Sequence, residues 1–175
     1  MSELRLSTEP LFDAAILRQR IASLADEVST HYQGKDLLLL VVLKGSVPFS
    51  ADLARALTVP LQVDYIRAKS YDGTESGGKV HFTHLPEDSL RNRDVLIVED
   101  ILDTGNTAEA IFDFVRGQHP ASARFITLLD KPSRRVRPVE ADFVGFTVED
   151  HFVVGYGLDY NERFRELDGI FTMEA

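Results

Sequence analysis

Residues 95–107 read VLIVEDILDTGNT, and this stretch decides the fold class. Residues 94–99 contain the continuous apolar run from Val95 to Val98, which predicts a strand that is buried on both faces. A short turn of small and hydroxyl residues follows, and residues 107–118 then predict an amphipathic helix. A buried strand that leads through a turn into a helix is the repeating unit of parallel sheets. The stretch therefore predicts an α/β fold.

The same alternation of elements continues on both sides of this stretch. Strands are predicted over residues 37–43, 61–70, 79–85, 123–129 and 141–148, with a glycine-containing loop over 71–78. Helices are predicted from Thr8 and Pro10 to a stop at Gly34, and again over residues 48–57. We expect a mainly parallel twisted sheet flanked by helices, forming a single domain over residues 1–175. Ligands of such sheets bind beyond the carboxyl ends of the strands, here after Leu43, Glu99 and Leu129.

The composition excludes several classes of protein. The chain has 175 residues, with 19 Lys and Arg against 28 Asp and Glu, so its formal net charge is −9. An acidic surface does not favour nucleic acid or a membrane as partner, whereas a small anion needs only a local cluster of donors. The absence of cysteine excludes disulfides, thiolate zinc sites and cysteine nucleophiles. The longest aliphatic run is far shorter than the about 20 residues that span a bilayer, and we expect a cytoplasmic protein.

Three carboxylates crowd the end of the central strand: Glu99, Asp100 and Asp103. Neighbouring acids suit a sugar diol, a hydrated magnesium ion, or both. Residues 104–107, Thr-Gly-Asn-Thr, form the turn into the helix. Converging backbone N–H groups, hydroxyls and the helix start favour a phosphate at such a turn. Together these features indicate a site for a phosphorylated sugar.

Other interpretations of the same residues stay open at this point. Asp103-Thr104-Gly105 is also the tripeptide of aspartic proteases, but those are all-β proteins that need a second acid or a symmetric partner. The turn alone is explained at least as well by helix capping, since Asp, Thr and Asn are favoured caps. Capping does not explain three acids at one strand end, where their repulsion is costly without a cation. A phosphorelay receiver domain also gathers acids at strand ends, but its acceptor belongs on a separate central strand.

VLIVEDILDTGNT resembles the phosphoribosyl-pyrophosphate (PRPP) signature of the type I phosphoribosyltransferases. Further segments, in the same order and spacing, make the chain similar to the hypoxanthine(–guanine) phosphoribosyltransferases. They are LKG at 43–45, KSY at 69–71, LLDKP at 128–132, and DFVGFTVEDHFVVGYGLDYNERFREL at 142–167. The resemblance runs from about residue 37 to 171. The signature identifies the superfamily, and the FVVGYGLDYNERFR block indicates a 6-oxopurine as the base.

The resemblance implies a reaction, a cofactor and partners. It implies transfer of the 5-phosphoribosyl group from PRPP to hypoxanthine, and also to guanine, giving IMP or GMP and pyrophosphate, with Mg²⁺ as cofactor. It implies the type I fold with a small hood formed by terminal segments, and a homodimer or homotetramer. The alternative is a regulator of the same fold that binds PRPP or nucleotide without turnover. Transfer to a pyrimidine or adenine is weaker, because Lys131 matches an oxo group on the base.

The resemblance also assigns roles to individual residues. Asp103 is the catalytic acid or base near N7 of the purine, and the metal residues are Glu99, Asp100 and Asp159. The PRPP contacts are Lys44, Gly45, Ser70, Tyr71, Glu99, Asp100, Asp103, Thr104, Gly105, Asn106, Thr107 and Arg165. The purine contacts are Lys131, Phe152, Val153 and Asp159. The resemblance further implies a non-proline cis peptide within residues 43–45, and a loop opened by Ser70 and Tyr71 that closes over the site.

Two groups of residues have no role in the resemblance. Arg134, Arg135 and Arg137 are predicted to form a solvated or subunit-contact loop beside Lys131. The histidines show no metal-ligand spacing, so surface or packing roles are expected for them; they are His31, His81, His84, His119 and His151.

Overall fold

The computed structural model describes residues 5–70 and 80–174, leaving aside the Ser70 side chain, so the predicted Tyr71 contact and the loop over 71–78 lie outside the described residues. The strands are β1 (Arg5–Leu6), β2 (Leu37–Val42), β3 (Leu61–Ser70), β4 (Val80–His84), β5 (Asp94–Leu102), β6 (Ser122–Asp130), β7 (Phe143–Thr147), β8 (Val153–Val154) and β9 (Phe171–Glu174). The helices are α1 (Ala14–His31), α2 (Val47–Ala56) and α3 (Asn106–Gly117), with a 3-10 turn at Pro132–Arg134.

Six strands form the main sheet, in the order β4-β3-β2-β5-β6-β7. Strands β3, β2, β5, β6 and β7 run parallel, and β4 is antiparallel to β3, which confirms the predicted mainly parallel α/β sheet. The chain leaves β2 for β3 on one side and later returns to place β5 on the other side of β2. The carboxyl ends of β2 and β5 therefore flank a topological switch point, where α/β sheets bind their ligands.

Both faces of this sheet are covered, which explains the continuously apolar strands. Alternate residues of a strand point to opposite faces, so Leu39 and Val41 of β2 pack with α1 and α2. Leu38 and Leu40 point to the other face, where they pack with α3. A central strand between two apolar layers has no polar face, and its sequence shows no alternation.

The predicted start of the first helix at Thr8 and Pro10 is wrong. The helix begins at Ala14, and the Asp13 carboxylate caps it by accepting a hydrogen bond from the Ile16 N–H at 2.8 Å. The residues before this cap form bends instead, at positions 8, 9 and 11. Phe12 pairs with Ile170 through backbone hydrogen bonds of 3.2 and 2.9 Å, so they continue toward a second sheet.

That second sheet is small and has the order β1-β9-β8. It joins a segment near the start of the described chain to one near its end, because Arg5 pairs with Glu174 and Leu6 with Met173. Its action as a hood over a bound base stays a prediction. No helix in the described part of the chain has the length and apolar character required to cross a membrane.

Candidate active site

A cleft of about 390 Å³ lies at the switch point between β2 and β5. It brings together ten of the predicted site residues: Lys44, Gly45, Glu99, Asp100, Asp103, Thr104, Gly105, Thr107, Asp159 and Arg165. Four others, Asn106, Lys131, Phe152 and Val153, do not line this cleft. The parallel sheet explains the convergence, since consecutive strand–helix units leave their connecting loops at one edge.

Glu99 and Asp100 form a buried pair of acids at the end of β5. Glu99 is only 8% exposed, and its carboxylate accepts a hydrogen bond from the Ser46 hydroxyl at 3.5 Å. Burial and the adjacent Asp100 raise the pKa of Glu99 well above its usual value. Burial also raises the pKa of Asp100, although the Ile101 N–H donates to its carboxylate at 2.8 Å. A bound cation or hydrogen-bond donors would stabilise the ionised form of these two buried acids.

The donors at the cleft fit magnesium only in part. Within residues 5–70 and 80–174, no group of three or more His, Cys, Asp or Glu side chains is placed to hold a metal ion. Asp159, the third predicted ligand, is instead paired with Arg165 at 2.8 Å and accepts the Glu162 N–H at 2.8 Å. Mg²⁺ usually binds one or two carboxylates together with waters and substrate phosphates. The Glu99–Asp100 pair fits such an ion, whereas the three predicted residues do not form a metal site by themselves.

Glu99→Gln is expected to stabilise the protein without magnesium at neutral pH. Because the folded state raises the pKa of Glu99, it holds the proton more tightly than the unfolded chain does. The ionised carboxylate therefore lowers the stability of the fold progressively as the pH rises above 4.5, the usual pKa of a glutamate side chain. At pH 7 the melting temperature of the variant should exceed that of the wild type, by about 2–4 °C for each 1 kcal/mol that the ionised carboxylate costs in a domain of this size.

The difference in melting temperature should shrink toward pH 4, where the wild-type side chain is protonated as well. Glu140→Gln is the matched control, since Glu140 is exposed and should show no such pH-dependent gain. A variant that melts with the wild type at every pH would contradict the raised pKa.

The loop between β2 and α2 carries Lys44 and Gly45 to the end of β5. The Leu43–Lys44 peptide bond is cis, as the resemblance implied. The loop is fastened on both sides, because the Leu43 N–H donates to the Ile66 carbonyl at 2.9 Å and the Ser46 hydroxyl to the Val42 carbonyl at 2.5 Å. Lys44 is thereby fixed at the rim of the acidic pair.

Gly45, Asp100 and Gly157 pack against one another with no room for another side chain. A Cβ on Gly45 would lie 1.6 Å from Asp100 Oδ2, and a Cβ on Gly157 would lie 2.0 Å from the Gly45 carbonyl oxygen. Gly157 also has φ +99°, which a residue with a Cβ rarely adopts. Its carbonyl accepts from Arg165 at 2.7 Å. Gly157 thus seats residues 155–165 on the acid pair, a role that its sequence neighbours do not reveal.

Residues 103–107 form the turn from β5 into α3. The N-cap of α3 is Gly105, which has no side chain, and the Thr104 hydroxyl accepts the Asn106 N–H at 3.5 Å, so helix capping explains this turn only in part. The other N–H groups at the start of a helix are suited to bind an anion. Glu109 N–H donates to the Gly105 carbonyl at 2.8 Å, which closes the first turn of the helix. The turn therefore has the properties of a phosphate-binding loop.

Arg134, Arg135 and Arg137 all bind the turn over 103–107 or its flanks; Arg134 and Arg137 are exposed, as the predicted solvated loop requires, whereas Arg135 is not. Arg135 is the most buried, with a side chain 15% exposed. Its guanidinium donates to the carbonyls of Asp103 at 2.9 Å, Leu102 at 3.2 Å and Val139 at 2.6 Å, and to the Asp130 carboxylate. Three carbonyls and one carboxylate around a planar fork fix the loop geometry tightly.

The other two arginines contact the side chains of the same turn. Arg134 Nε donates to Asp103 Oδ1 at 2.8 Å. Arg137 Nε donates to Asn106 Oδ1 at 2.9 Å, and the Arg137 N–H donates to the Thr104 carbonyl at 3.1 Å. The arginines lie about 30 residues away in sequence, so only the tertiary fold brings them to the turn.

The predicted base-side residues lie next to the cleft. Lys131 follows β6, is 6% exposed, and donates to the His151 carbonyl. Phe152 is 48% exposed and meets the Tyr160 ring edge to face, with centroids 5.6 Å apart. Val153 is buried in β8. An exposed aromatic face beside a buried lysine donor is an arrangement that suits a planar heterocycle.

Arg165 and Lys44 share an acidic partner that the sequence did not single out. Glu162 accepts from Lys44 Nζ at 2.9 Å and lies 3.4 Å from Arg165 Nη2. No motif could have revealed this contact, because Lys44 and Glu162 are 118 residues apart in sequence.

Residues 7–161 match the family model of the phosphoribosyl transferase domain. The chain belongs to the phosphoribosyltransferase family. Curated relatives place it on the hypoxanthine–guanine branch. It is 42% identical over 171 residues to the hypoxanthine-guanine phosphoribosyltransferase of Mycobacterium avium, covering 94% of this chain and 84% of the relative. It is 41% identical over 164 residues to the hypoxanthine phosphoribosyltransferase of Salmonella typhimurium, covering 92% of each chain.

Some relatives of this phosphoribosyltransferase are much longer. It is 43% identical over 152 residues to the bifunctional protein TilS/HprT of Listeria monocytogenes, and it spans 24% of the length of that protein. Solved structures agree with the assignment to the family. A hypoxanthine-guanine phosphoribosyltransferase from Bacillus anthracis superposes with a TM-score of 0.92 at 32% identity, covering 98% of this chain and 100% of the other. A ternary substrate complex of the Trypanosoma cruzi hypoxanthine phosphoribosyltransferase gives 0.91 at 36% identity, with 96% of each chain covered.

Proposed function

We propose that this phosphoribosyltransferase transfers the 5-phosphoribosyl group of PRPP to hypoxanthine, and also to guanine, in purine salvage. The products are IMP or GMP and pyrophosphate. The observation that carries the proposal is the cleft at the switch point, where the buried Glu99–Asp100 pair adjoins the turn over residues 103–107 at the start of α3. A ribose diol needs acceptors and a 5′-phosphate needs N–H donors, and the cleft offers both within one site.

In the proposed reaction, a bond forms between N9 of the purine and C1′ of the ribose, and the bond from C1′ to the pyrophosphate oxygen breaks. The electron pair of the broken bond leaves with pyrophosphate, and the ring proton of the purine leaves as the new bond forms. Asp103 is proposed to receive that proton near N7, since a carboxylate at the end of β5 faces the same cleft as the ribose site.

Magnesium, when bound, would neutralise charge on the pyrophosphate group. Glu99, Asp100 and Asp159 are the residues proposed to hold it, with Glu99 and Asp100 as the pair that the geometry supports best. PRPP is proposed to contact Lys44, Gly45, Ser70, Tyr71, Thr104, Gly105, Asn106, Thr107 and Arg165.

On the base side, Lys131 is proposed to donate to the 6-oxo group of the purine. Its ammonium donates to the carbonyl of His151, the residue before Phe152, and this hydrogen bond fixes the orientation of the side chain. Phe152 is proposed to stack on the purine ring, and the backbone at Val153 to read the edge of the base. A cytoplasmic location, a single domain and a homodimer or homotetramer stay predictions from the sequence and the resemblance.

The test incubates purified protein with magnesium chloride, PRPP and one base at a time, and follows nucleotide formation by chromatography. Hypoxanthine and guanine are expected to give IMP and GMP, whereas adenine and uracil are expected to give little product. Binding of PRPP without product from any 6-oxopurine would identify the non-catalytic regulator instead. Product from adenine or uracil alone would contradict the role of Lys131.

A further inference from the structure

The cleft contains two cationic side chains, Lys44 and Arg165, beside its buried acids. Lys44 lies on the loop after β2, and Arg165 reaches the same rim from the segment after β8. In a site whose other charged residues are mostly acidic, these two cations are the groups that attract the anionic part of a substrate. Under the proposed function that part is the pyrophosphate of PRPP.

Both cations are already bound to one carboxylate of the chain itself. Glu162 Oε2 accepts from Lys44 Nζ at 2.9 Å, and Glu162 Oε1 lies 3.4 Å from Arg165 Nη2. The two oxygens of one carboxylate therefore bridge the two cations, as two oxygens of a pyrophosphate would. The hydrogen bond from Lys44 lowers the pKa of Glu162, which keeps the carboxylate ionised at neutral pH.

The backbone around Glu162 presents the side chain in this position. Asn161 and Glu162 have φ +52° and +62°, two consecutive left-handed residues that are not glycine. This conformation is uncommon for residues with a Cβ and persists where the surrounding contacts hold it. The Asp159 carboxylate supplies one such contact, because it accepts the Glu162 N–H at 2.8 Å. The backbone that carries the Glu162 side chain is thus held in place.

We infer that Glu162 is an internal competitor for pyrophosphate, which sets the affinity of the site by occupying Lys44 and Arg165. An incoming pyrophosphate group must take Lys44 from Glu162, and Arg165 from Glu162 and from Asp159, which lies 2.8 Å from Arg165 Nη2; a departing group returns these donors. The side chain is 62% exposed, so it can turn toward solvent without disturbing the core. This inference rests on the proposed function, because it assigns Lys44 and Arg165 to the leaving group of PRPP.

The test measures binding of inorganic pyrophosphate, with magnesium chloride present, by isothermal titration calorimetry. Glu162→Gln keeps the size of the side chain and removes its charge. It is expected to bind pyrophosphate about two- to tenfold more tightly than the wild type, the range expected when one or two exposed ion pairs no longer compete. In a steady-state assay, the inhibition constant for pyrophosphate should fall by the same factor.

Glu166→Gln is the matched control. Glu166 is exposed four residues further on, and the substitution removes the same single charge without touching Lys44 or Arg165. Its pyrophosphate affinity should equal that of the wild type. Equal tightening in both variants would indicate a long-range charge effect and overturn the inference, as would unchanged or weaker binding in Glu162→Gln.

The binding measurement separates this inference from the proposed function. Calorimetry with pyrophosphate requires no turnover, so the inference can fail while wild-type protein still converts hypoxanthine and PRPP to IMP. Absence of IMP formation by the wild type would remove the proposed function, while a tighter Glu162→Gln would still show competition for an anion at Lys44 and Arg165. The melting temperature of each variant, measured in parallel, confirms that it is folded.

Discussion

Asp103→Asn is expected to lower kcat of the transfer reaction by about 10²–10⁴, the usual contribution of a positioned general acid or base. The amide has nearly the same shape as the carboxylate but cannot take up a proton. The Asp103 carbonyl is held by Arg135 at 2.9 Å, so the backbone of the turn should keep its position in the variant. KM for PRPP should therefore change much less than kcat, which is the signature of an interaction made in the transition state.

Two features make this experiment clear to interpret. The Asp103–Arg134 ion pair is exposed, with side chains 38% and 45% accessible, so its loss should change the melting temperature little. Asp113→Asn is the control, since Asp113 lies on the exposed side of α3 and receives the same chemical change. Steady-state kinetics with hypoxanthine as the base provide the measurement. Near-normal turnover by Asp103→Asn would exclude the proton-transfer role.

Gly157→Ala is expected to destabilise the protein by about 2–5 kcal/mol, the sum of backbone strain at a positive φ and overpacking. Its Cβ would lie 2.0 Å from the Gly45 carbonyl oxygen and 2.9 Å from Pro48 Cδ. Neither contact is with the flexible end of a side chain, so the backbone of residues 155–165 must move. The activity of the variant that is still folded should fall as well, because the same movement displaces Arg165 from the cleft.

Two other glycines separate the causes of this effect. Gly34 has φ +78° but no atom within 4 Å of a built Cβ, so Gly34→Ala should cost about 1 kcal/mol from strain alone. Gly117, the last residue of α3, has neither strain nor a clash, and Gly117→Ala should be neutral or stabilising by up to about 1 kcal/mol. Urea unfolding of the three variants gives the comparison. Equal losses at Gly157 and Gly34 would show that the contact with Gly45 is unimportant.

The main sheet could be predicted from sequence because its strands are local patterns. Residues 61–70 were predicted as a strand and form β3 with the same bounds, and the apolar run from Leu37 marks β2. Runs of this kind persist because both faces of a parallel sheet are covered. The first helix was placed too early because Thr8 and Pro10 are also favourable at helix starts, and the pairing of Phe12 with Ile170, which keeps Phe12 out of the helix, is remote in sequence.

The candidate site was predictable where its residues follow one another in the chain. Residues 99–107 contain acids, a turn and a helix start in sequence order, and the structure brings most of them into one cleft. The groups that hold this turn are distant in sequence, so their role was missed. Arg135 binds the carbonyl oxygens of Leu102 and Asp103, and no sequence pattern specifies a hydrogen bond to a backbone carbonyl across 30 or more residues.

By itself, the sequence determined the α/β class, the positions of the main strands along the chain and the acid-rich turn after β5, since hydrophobic periodicity and turn chemistry act between neighbours along the chain. Only the tertiary structure decided which distant groups meet at that turn. It placed Gly157 on Gly45, Arg135 beneath the turn, and Glu162 between Lys44 and Arg165. The physical reason is that close packing and charge pairing depend on distances in space, which are fixed only after the sheet has ordered its strands.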